Sequence, residues 1–174
     1  LWERIMEGST CNLGLPSFYP SNMTIRPGTP DDIYISDSSS VYRYWYDKTA
    51  PSAASEEINI FSLHENETIQ QAIVAFNRAQ TDVLAVYKVA MGQDANGTEQ
   101  DYIKALNTEL LAQTGPDILV LDGLPVDSYV QKGILAELSG VLGSVDPLLP
   151  NVQKASETTD GKIYAIPTGI RLPL

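Results

Sequence analysis

The spacing of apolar and polar residues changes character near residue 50. Ahead of it, Asp31-Asp32-Ile33-Tyr34-Ile35-Ser36 alternates, the polar run Asp37-Ser38-Ser39-Ser40 interrupts, and Val41-Tyr42-Arg43-Tyr44-Trp45-Tyr46 alternates again. Successive side chains of a strand point to opposite faces, so these runs predict a β-hairpin; the stretch from Asn22 to Pro30 before it reads as turn-rich. A lone hairpin is marginal in water, so it needs partners from residues 1–30 or from elsewhere. Single blades of repeat β-architectures have a similar look, but no repeat follows. Thr49-Ala50-Pro51-Ser52-Ala53-Ala54-Ser55 has the small, Pro-containing composition of a linker. The pattern thus divides the chain into a β-rich segment at 1–50, a linker at 51–56 and a larger body at 57–174.

In that body, strand and helix periods alternate. Ile58 to Leu63 reads as a short apolar strand, and Ile69, Ala72, Ile73 and Phe76 then fall on one helical face, with Thr68 and Gln71 at capping-box spacing. Val83 to Val89 is a second strand. After the polar loop from Gly92 to Thr98, Ile103, Leu106 and Leu110 form the stripe of a second helix that Gly115 is expected to stop. Ile118-Leu119-Val120-Leu121 is apolar without alternation, which predicts a strand covered on both faces. A third helix is expected from Pro125 to Leu138, with Val126, Tyr129, Val130, Gly133 and Ile134 inward. The Asp160-Gly161 turn leads into a last strand over Lys162 to Pro167. The order predicts a doubly wound α/β fold with a mostly parallel sheet, preceded by the small hairpin segment.

Charge narrows the functional classes. The 174 residues hold 22 Asp plus Glu against 11 Lys plus Arg, a net charge of -11. Such a surface repels phosphate backbones, and no basic face compensates, so nucleic acid is not an expected partner. Cys11 is the sole cysteine, and no second cysteine or histidine stands near it at metal-ligand spacing. No run approaches the ~18–20 apolar residues of a membrane span. N-x-[ST] triplets begin at Asn22, Asn66 and Asn96. Asp94-Ala95-Asn96-Gly97 resembles the start of a calcium loop, but the glycine and terminal glutamate offsets are wrong, so a solvated loop is expected.

Ligands of open parallel sheets bind beyond the carboxyl ends of the strands. That rule selects the loops His64 to Glu67, Asp122 to Pro125 and Thr168 to Arg171. Their histidine, carboxylates, asparagine, threonine and arginine suit a neutral, hydroxyl-rich molecule. No glycine-rich phosphate cradle follows any strand, and no cofactor or metal is expected. Plainer roles stand beside these: Asn66 as a helix cap, Glu65 and Glu67 as complements to a helix dipole, Asp122 as a cap of the next helix. His64, the only histidine, has no second acid or nucleophile at a telling spacing, so catalysis is not expected.

The segments Ser62-Leu63-His64-Glu65-Asn66, Ile69 to Asn77, Leu106 to Ala112, Gly115-Pro116-Asp117-Ile118-Leu119, Tyr129 to Leu138 and Asp160 to Pro167 follow one another in a telling order. Over 57–174 the chain resembles the extracellular solute-binding proteins of ABC importers, in the carbohydrate-binding group that includes maltose-binding protein. The resemblance implies the first lobe of a periplasmic-binding-protein-like fold, ending as it would cross into a second lobe. It also implies capture of a sugar or similar small solute, delivery to a membrane permease, and an extracellular, membrane-anchored (lipoprotein) or periplasmic location. Family contacts would map to His64, Glu65 and Asn66, to Asp122, Gly123 and Leu124, and to Thr168 and Arg171. Those loops have no Trp or Tyr on which a sugar ring would stack. The first fifty residues are outside the family pattern, although some Gram-positive members look as if they carry an added β-rich domain.

Two other readings use the same fold. Pro116 to Asp122 also resembles the phosphoacceptor strand of response-regulator receivers, with Asp122 as acceptor. Such a domain needs an acidic pair after its first strand to hold magnesium, where this chain has Leu63-His64-Glu65-Asn66. A ligand-sensing module of a signalling protein, or an enzyme, would share the architecture, since fold does not fix function.

Overall fold

The computed structural model describes residues 11–15, 17–28, 32–45, 56–80, 82–92, 95–142, 154, 156–158 and 160–167. The expected linker lies outside them except for Glu56. Backbone contacts divide the chain into two units, Leu1–Ala95 with Pro116–Val120, and Asn96–Gly115 with Leu121–Leu174. Among the described residues no helix is long and apolar enough to cross a membrane.

In the first unit the expected hairpin forms and gains a third strand. Strands β1 (Asn22–Ile25), β2 (Asp32–Ser36) and β3 (Val41–Trp45) make an antiparallel sheet in the order β1-β2-β3. The stretch expected to be turn-rich therefore supplies β1, because Met23 and Ile25 pair with Ile35 and Ile33 of β2. Met23 and Ile25 stay exposed, and the turn signals Pro27 and Gly28 lie beyond the end of the strand. The β2–β3 turn is closed by Asp37, whose carboxylate accepts the Ser39 and Ser40 N–H groups at 2.8 and 2.7 Å. The Ser39 hydrogen bond is the main cause that holds this carboxyl below its ordinary pKa. Asp32 is buried, and its charge is met by Arg43 across the sheet at 3.0 Å. The Arg43 guanidinium lies 5.3 Å from the centre of the Trp45 ring.

The same unit holds a parallel sheet of β4 (Glu56–Ser62), β5 (Val83–Val89) and β6 (Ile118–Val120), in the order β5-β4-β6. The second strand lies on one side of the first and the third on the other, which is how a doubly wound α/β sheet begins. Asp117 starts the β6 pairing. Its N–H donates to the Asn59 carbonyl at 2.9 Å, and its carboxylate accepts the Asn59 N–H at 2.8 Å. The expectation that β6 is covered on both faces needs correction, since Ile118 is 48% exposed and Leu119 and Val120 are half-buried. Among the described residues β6 pairs only with β4, so it is an edge strand.

Helix α1 (Glu67–Ala79) joins β4 to β5. Its buried face is rotated from the expected one: Ile73 and Val74 are buried and Ile69 half-buried, while Ala72 and Phe76 are exposed. Ile73 packs with Ile60 of β4 and Ala85 of β5, and Ile58, Ile69, Tyr87 and Val120 surround them. Each such aliphatic side chain stabilises by roughly 1.5–3 kcal/mol on burial. The rotation follows from Asn77, whose amide bonds to β5. Its Oδ1 accepts the Ala85 N–H at 2.8 Å, and its Nδ2 donates to the Ala85 carbonyl at 2.9 Å. One side chain thus completes the pairing of a residue on the outer edge of β5, as a neighbouring strand would.

The second unit contains α2 (Glu99–Leu111), α3 (Val126–Gln131) and α4 (Ser139–Leu142). Thr98 and Asp101 cap α2 reciprocally: the Asp101 N–H donates to Thr98 Oγ1 at 3.3 Å, and the Thr98 N–H to Asp101 Oδ2 at 3.0 Å. On the expected stripe Leu106 is buried, and Ile103 and Leu110 are half-buried. The helix stops before Gly115. Gln113 takes φ 58, with its N–H on the Leu110 carbonyl and the Thr114 N–H on the Glu109 carbonyl, so a non-glycine residue occupies the left-handed position that closes the last turn. Gly115 has a packing role: a Cβ there would lie 2.8 Å from Leu110 Cδ2, and that side chain would have to shift.

Helix α3 is shorter than the expected span to Leu138. Gly133 at φ 67 ends it, with the Gly133 N–H on the Val130 carbonyl and the Ile134 N–H on the Tyr129 carbonyl. Tyr129 is buried, and its hydroxyl donates to Asn107 of α2 at 2.8 Å. The expected strand over Lys162 to Pro167 reduces, among the described residues, to one bridge between Ile163 and Glu157. The Asp160-Gly161 turn is present: Gly161 has φ 75 and donates its N–H to the Thr158 carbonyl. Ile163 is buried, and its carbonyl accepts the Leu138 N–H at 2.8 Å.

Replacing Asn77 by Ala leaves two backbone groups of Ala85 without this partner; the expected cost is about 1–3 kcal/mol, read as a lower urea midpoint. Replacing Gln113 by Gly removes a left-handed Cβ, and the expected gain is up to about 1 kcal/mol in the same measurement.

Candidate functional site

The loop after β4 is fixed at its base. Ser62 and Leu63 are buried, their carbonyls accept the N–H groups of Ala90 and Met91 at 2.9 and 2.8 Å, and the Ser62 hydroxyl donates to the His64 carbonyl. With Leu63 wholly inside, the next two side chains turn outward, so His64 and Glu65 are exposed. Glu65 Oε1 accepts a hydrogen bond from Gln70 Nε2 at 3.1 Å. Asn66 is the cap of α1: its Oδ1 accepts the Ile69 N–H at 3.2 Å. The expected Thr68 and Gln71 box does not form, because the helix starts at Glu67, and Gln71 Nε2 donates to Glu67 Oε1 at 3.2 Å. Loop and first helical turn together present an imidazole, two carboxylates and two amides.

The second candidate loop, in the other unit, is a tight turn. The Leu124 N–H donates to the Leu121 carbonyl at 3.0 Å, and Gly123 at φ 80 fills the third position of the turn, where that sign of φ is required. Asp122 and Gly123 are exposed, whereas the Leu124 side chain is buried. Asp122 does not cap α3. Pro125 stands at that position, with no side-chain cap, and Asp122 has no hydrogen-bond or ion-pair partner among the described residues. Leu124, Pro125, Val126, Asp127 and Ser128 line an open pocket of about 480 Å³. Thr168 and Arg171, the third group expected to meet a ligand, lie outside the described residues.

Sequence reasoning passed over Ser62 and Gln70, which hold His64 and Glu65 in place. A serine at the end of an apolar strand and a glutamine in a helical first turn carry no distinctive signal alone. Asp127 and Ser128 line the pocket, but in the sequence they carry only a helical pattern. Among the described residues no group of three or more His, Cys, Asp and Glu side chains is arranged to hold a metal ion.

No protein-family model matches the chain, and no curated protein matches it. Three solved chains do, among them an extracellular solute-binding protein family 1 from Alicyclobacillus acidocaldarius subsp. acidocaldarius DSM 446. The likeness has a TM-score of 0.49 at 24% identity and covers 67% of this chain. This chain spans 29% of that protein's length.

The two roles open to Asn66 separate by substitution. Asn66→Ala is expected to cost about 1 kcal/mol through loss of the cap, whereas Asn66→Asp keeps an acceptor at the same place and changes stability by only a few tenths, roughly. Thermal unfolding of the two variants provides the measurement.

Proposed function

We propose that the chain supplies one wall of the binding cleft of an extracellular solute-binding protein, which takes up a sugar or similar small solute for an ABC permease. The observation that carries this reading is the display loop at the carboxyl end of the central parallel strand. There Leu63 is buried while His64 and Glu65 face solvent, in the region where open α/β sheets receive ligands. Ser62 and Val120 are register partners in parallel strands, so the chain leaves β4 and β6 at one edge of the sheet. The ordered motifs from Ser62 to Pro167 support the same reading.

His64, Glu65 and Asp122 would take hydroxyl groups, as would Thr168 and Arg171. Asn66 has two amide hydrogens to donate while its oxygen caps α1. Gly123 and Leu124 would contribute backbone, since Gly123 has no side chain and that of Leu124 is buried. No step of this reading requires the chain to catalyse a reaction. Residues 1–50 would form a β-rich element ahead of the binding module, joined to it through 51–56. The protein would work outside the cytoplasmic membrane or in a periplasm.

The test is thermal unfolding of the protein as its gene encodes it, with a panel of mono- and oligosaccharides. A ligand at one hundred times its Kd adds about 2.7 kcal/mol, a visible rise in Tm. Asn66→Asp, which keeps the cap, is expected to reduce that rise by removing the amide donor. A panel in which no sugar moves Tm would overturn the sugar assignment.

A further inference from the structure

Eight asparagines occur in the chain, and Asn96 is the one followed by glycine. We propose that the Asn96-Gly97 peptide is a site of spontaneous covalent modification, at which Asn96 converts through a cyclic imide to aspartate and isoaspartate and thereby loosens the start of α2. The proposal is independent of the function proposed above.

The chemistry needs a backbone nitrogen able to reach the side-chain carbonyl carbon one residue earlier. A side chain on the following residue obstructs that approach, and glycine has none. The Gly97 nitrogen, after losing its proton to hydroxide, forms a bond to Cγ of Asn96. The bond from Cγ to the side-chain nitrogen breaks, and that nitrogen takes a proton from water and leaves as ammonia, which returns the hydroxide. Water then adds to either carbonyl of the five-membered ring and opens it, giving aspartate from one opening and isoaspartate from the other. Water is the only co-reactant, and nothing is oxidised or reduced.

The structure favours this pair over the rest of the chain. Asn96 and Gly97 are both exposed, and they stand in a loop outside any strand or helix. The Tyr102 ring packs over Gly97: a Cβ there would lie 3.3 Å from its Cε2. None of the other seven asparagines precedes a glycine. Asp122 and Asp160 also precede glycines, but a carboxylate is a poor electrophile beside a carboxamide, and at Asp160 the Gly161 N–H is taken by the Thr158 carbonyl.

The consequence falls on the cap of α2. The Asn96 N–H donates to the Tyr102 hydroxyl at 3.2 Å, and Thr98, two residues on, forms the reciprocal cap with Asp101. Isoaspartate inserts a methylene into the main chain between these two anchors. The anchors cannot both keep their places, so the first turn of α2 opens.

The experiment incubates the whole chain in mildly alkaline buffer, digests it and follows each asparagine-containing peptide by mass spectrometry. The expected result is loss of the parent Asn96 peptide to two products of equal mass, each heavier by the exchange of NH for O. The other asparagine peptides stay unchanged, and amide exchange accelerates at residues 98–102. Asn96→Gln, which leaves Gly97 and its packing against Tyr102 intact, is expected to abolish the change because the ring would need six atoms. A parent Asn96 peptide that persists, or one lost no faster than the other asparagine peptides, would overturn the proposal.

Discussion

The parallel sheet depends on β4 being paired along both edges, and the narrowest of these attachments is the one that Asp117 makes to Asn59. Backbone groups withdrawn from water must find partners, and a strand of three residues such as β6 offers few of them. Asp117 adds to that short ladder from the position just before the strand. It gives its own N–H to the Asn59 carbonyl and takes the Asn59 N–H on its carboxylate. This gives the Gly115-Pro116-Asp117 sequence a concrete meaning. Gly115 leaves room for Leu110 of the helix just ended, Pro116 cannot prolong a helix, and Asp117 ties the new strand to the sheet.

The strands that were legible in the sequence have strong periods, and the failures have particular causes. The alternating runs around Ile33 and Tyr44 and the apolar runs around Ile60 and Val86 became β2, β3, β4 and β5 because no competing signal opposed them. β1 was hidden, since Met23 and Ile25 are apolar positions whose meaning appears only once Ile35 and Ile33 stand opposite. The inner face of α1 differs from the one its apolar spacing predicts because Asn77, a polar residue, belongs to that stripe and bonds to backbone. Gly115 looked like a helix stop, yet Gln113 adopts the left-handed conformation despite its side chain. Glycine read as an inner-face residue of the third helix instead ends it, at Gly133.

At the candidate site, residue types and strand-end position were legible, while local duties were not. Asn66 was open between ligand contact and helix cap, and its oxygen is the cap. Asp122 was open between the same roles, and Pro125 stands where it would have capped. These outcomes rest on where a helix begins to within one residue, which composition and spacing do not resolve. The inward turn of Leu63 likewise decides which way His64 and Glu65 point, and it is visible only as burial.

The Asn77 contact with Ala85 also bears on the order in which the chain is made. Synthesis runs from the amino terminus, so β4, α1 and β5 leave the ribosome well before Ile118. At that stage Asn77 can already occupy the outer edge of β5, while the other edge of β4 has no strand beside it. A growing chain in this state offers one open side to the next strand. In the finished sheet β6 takes the free edge of β4, while one uncharged amide meets Ala85 on the far edge of β5.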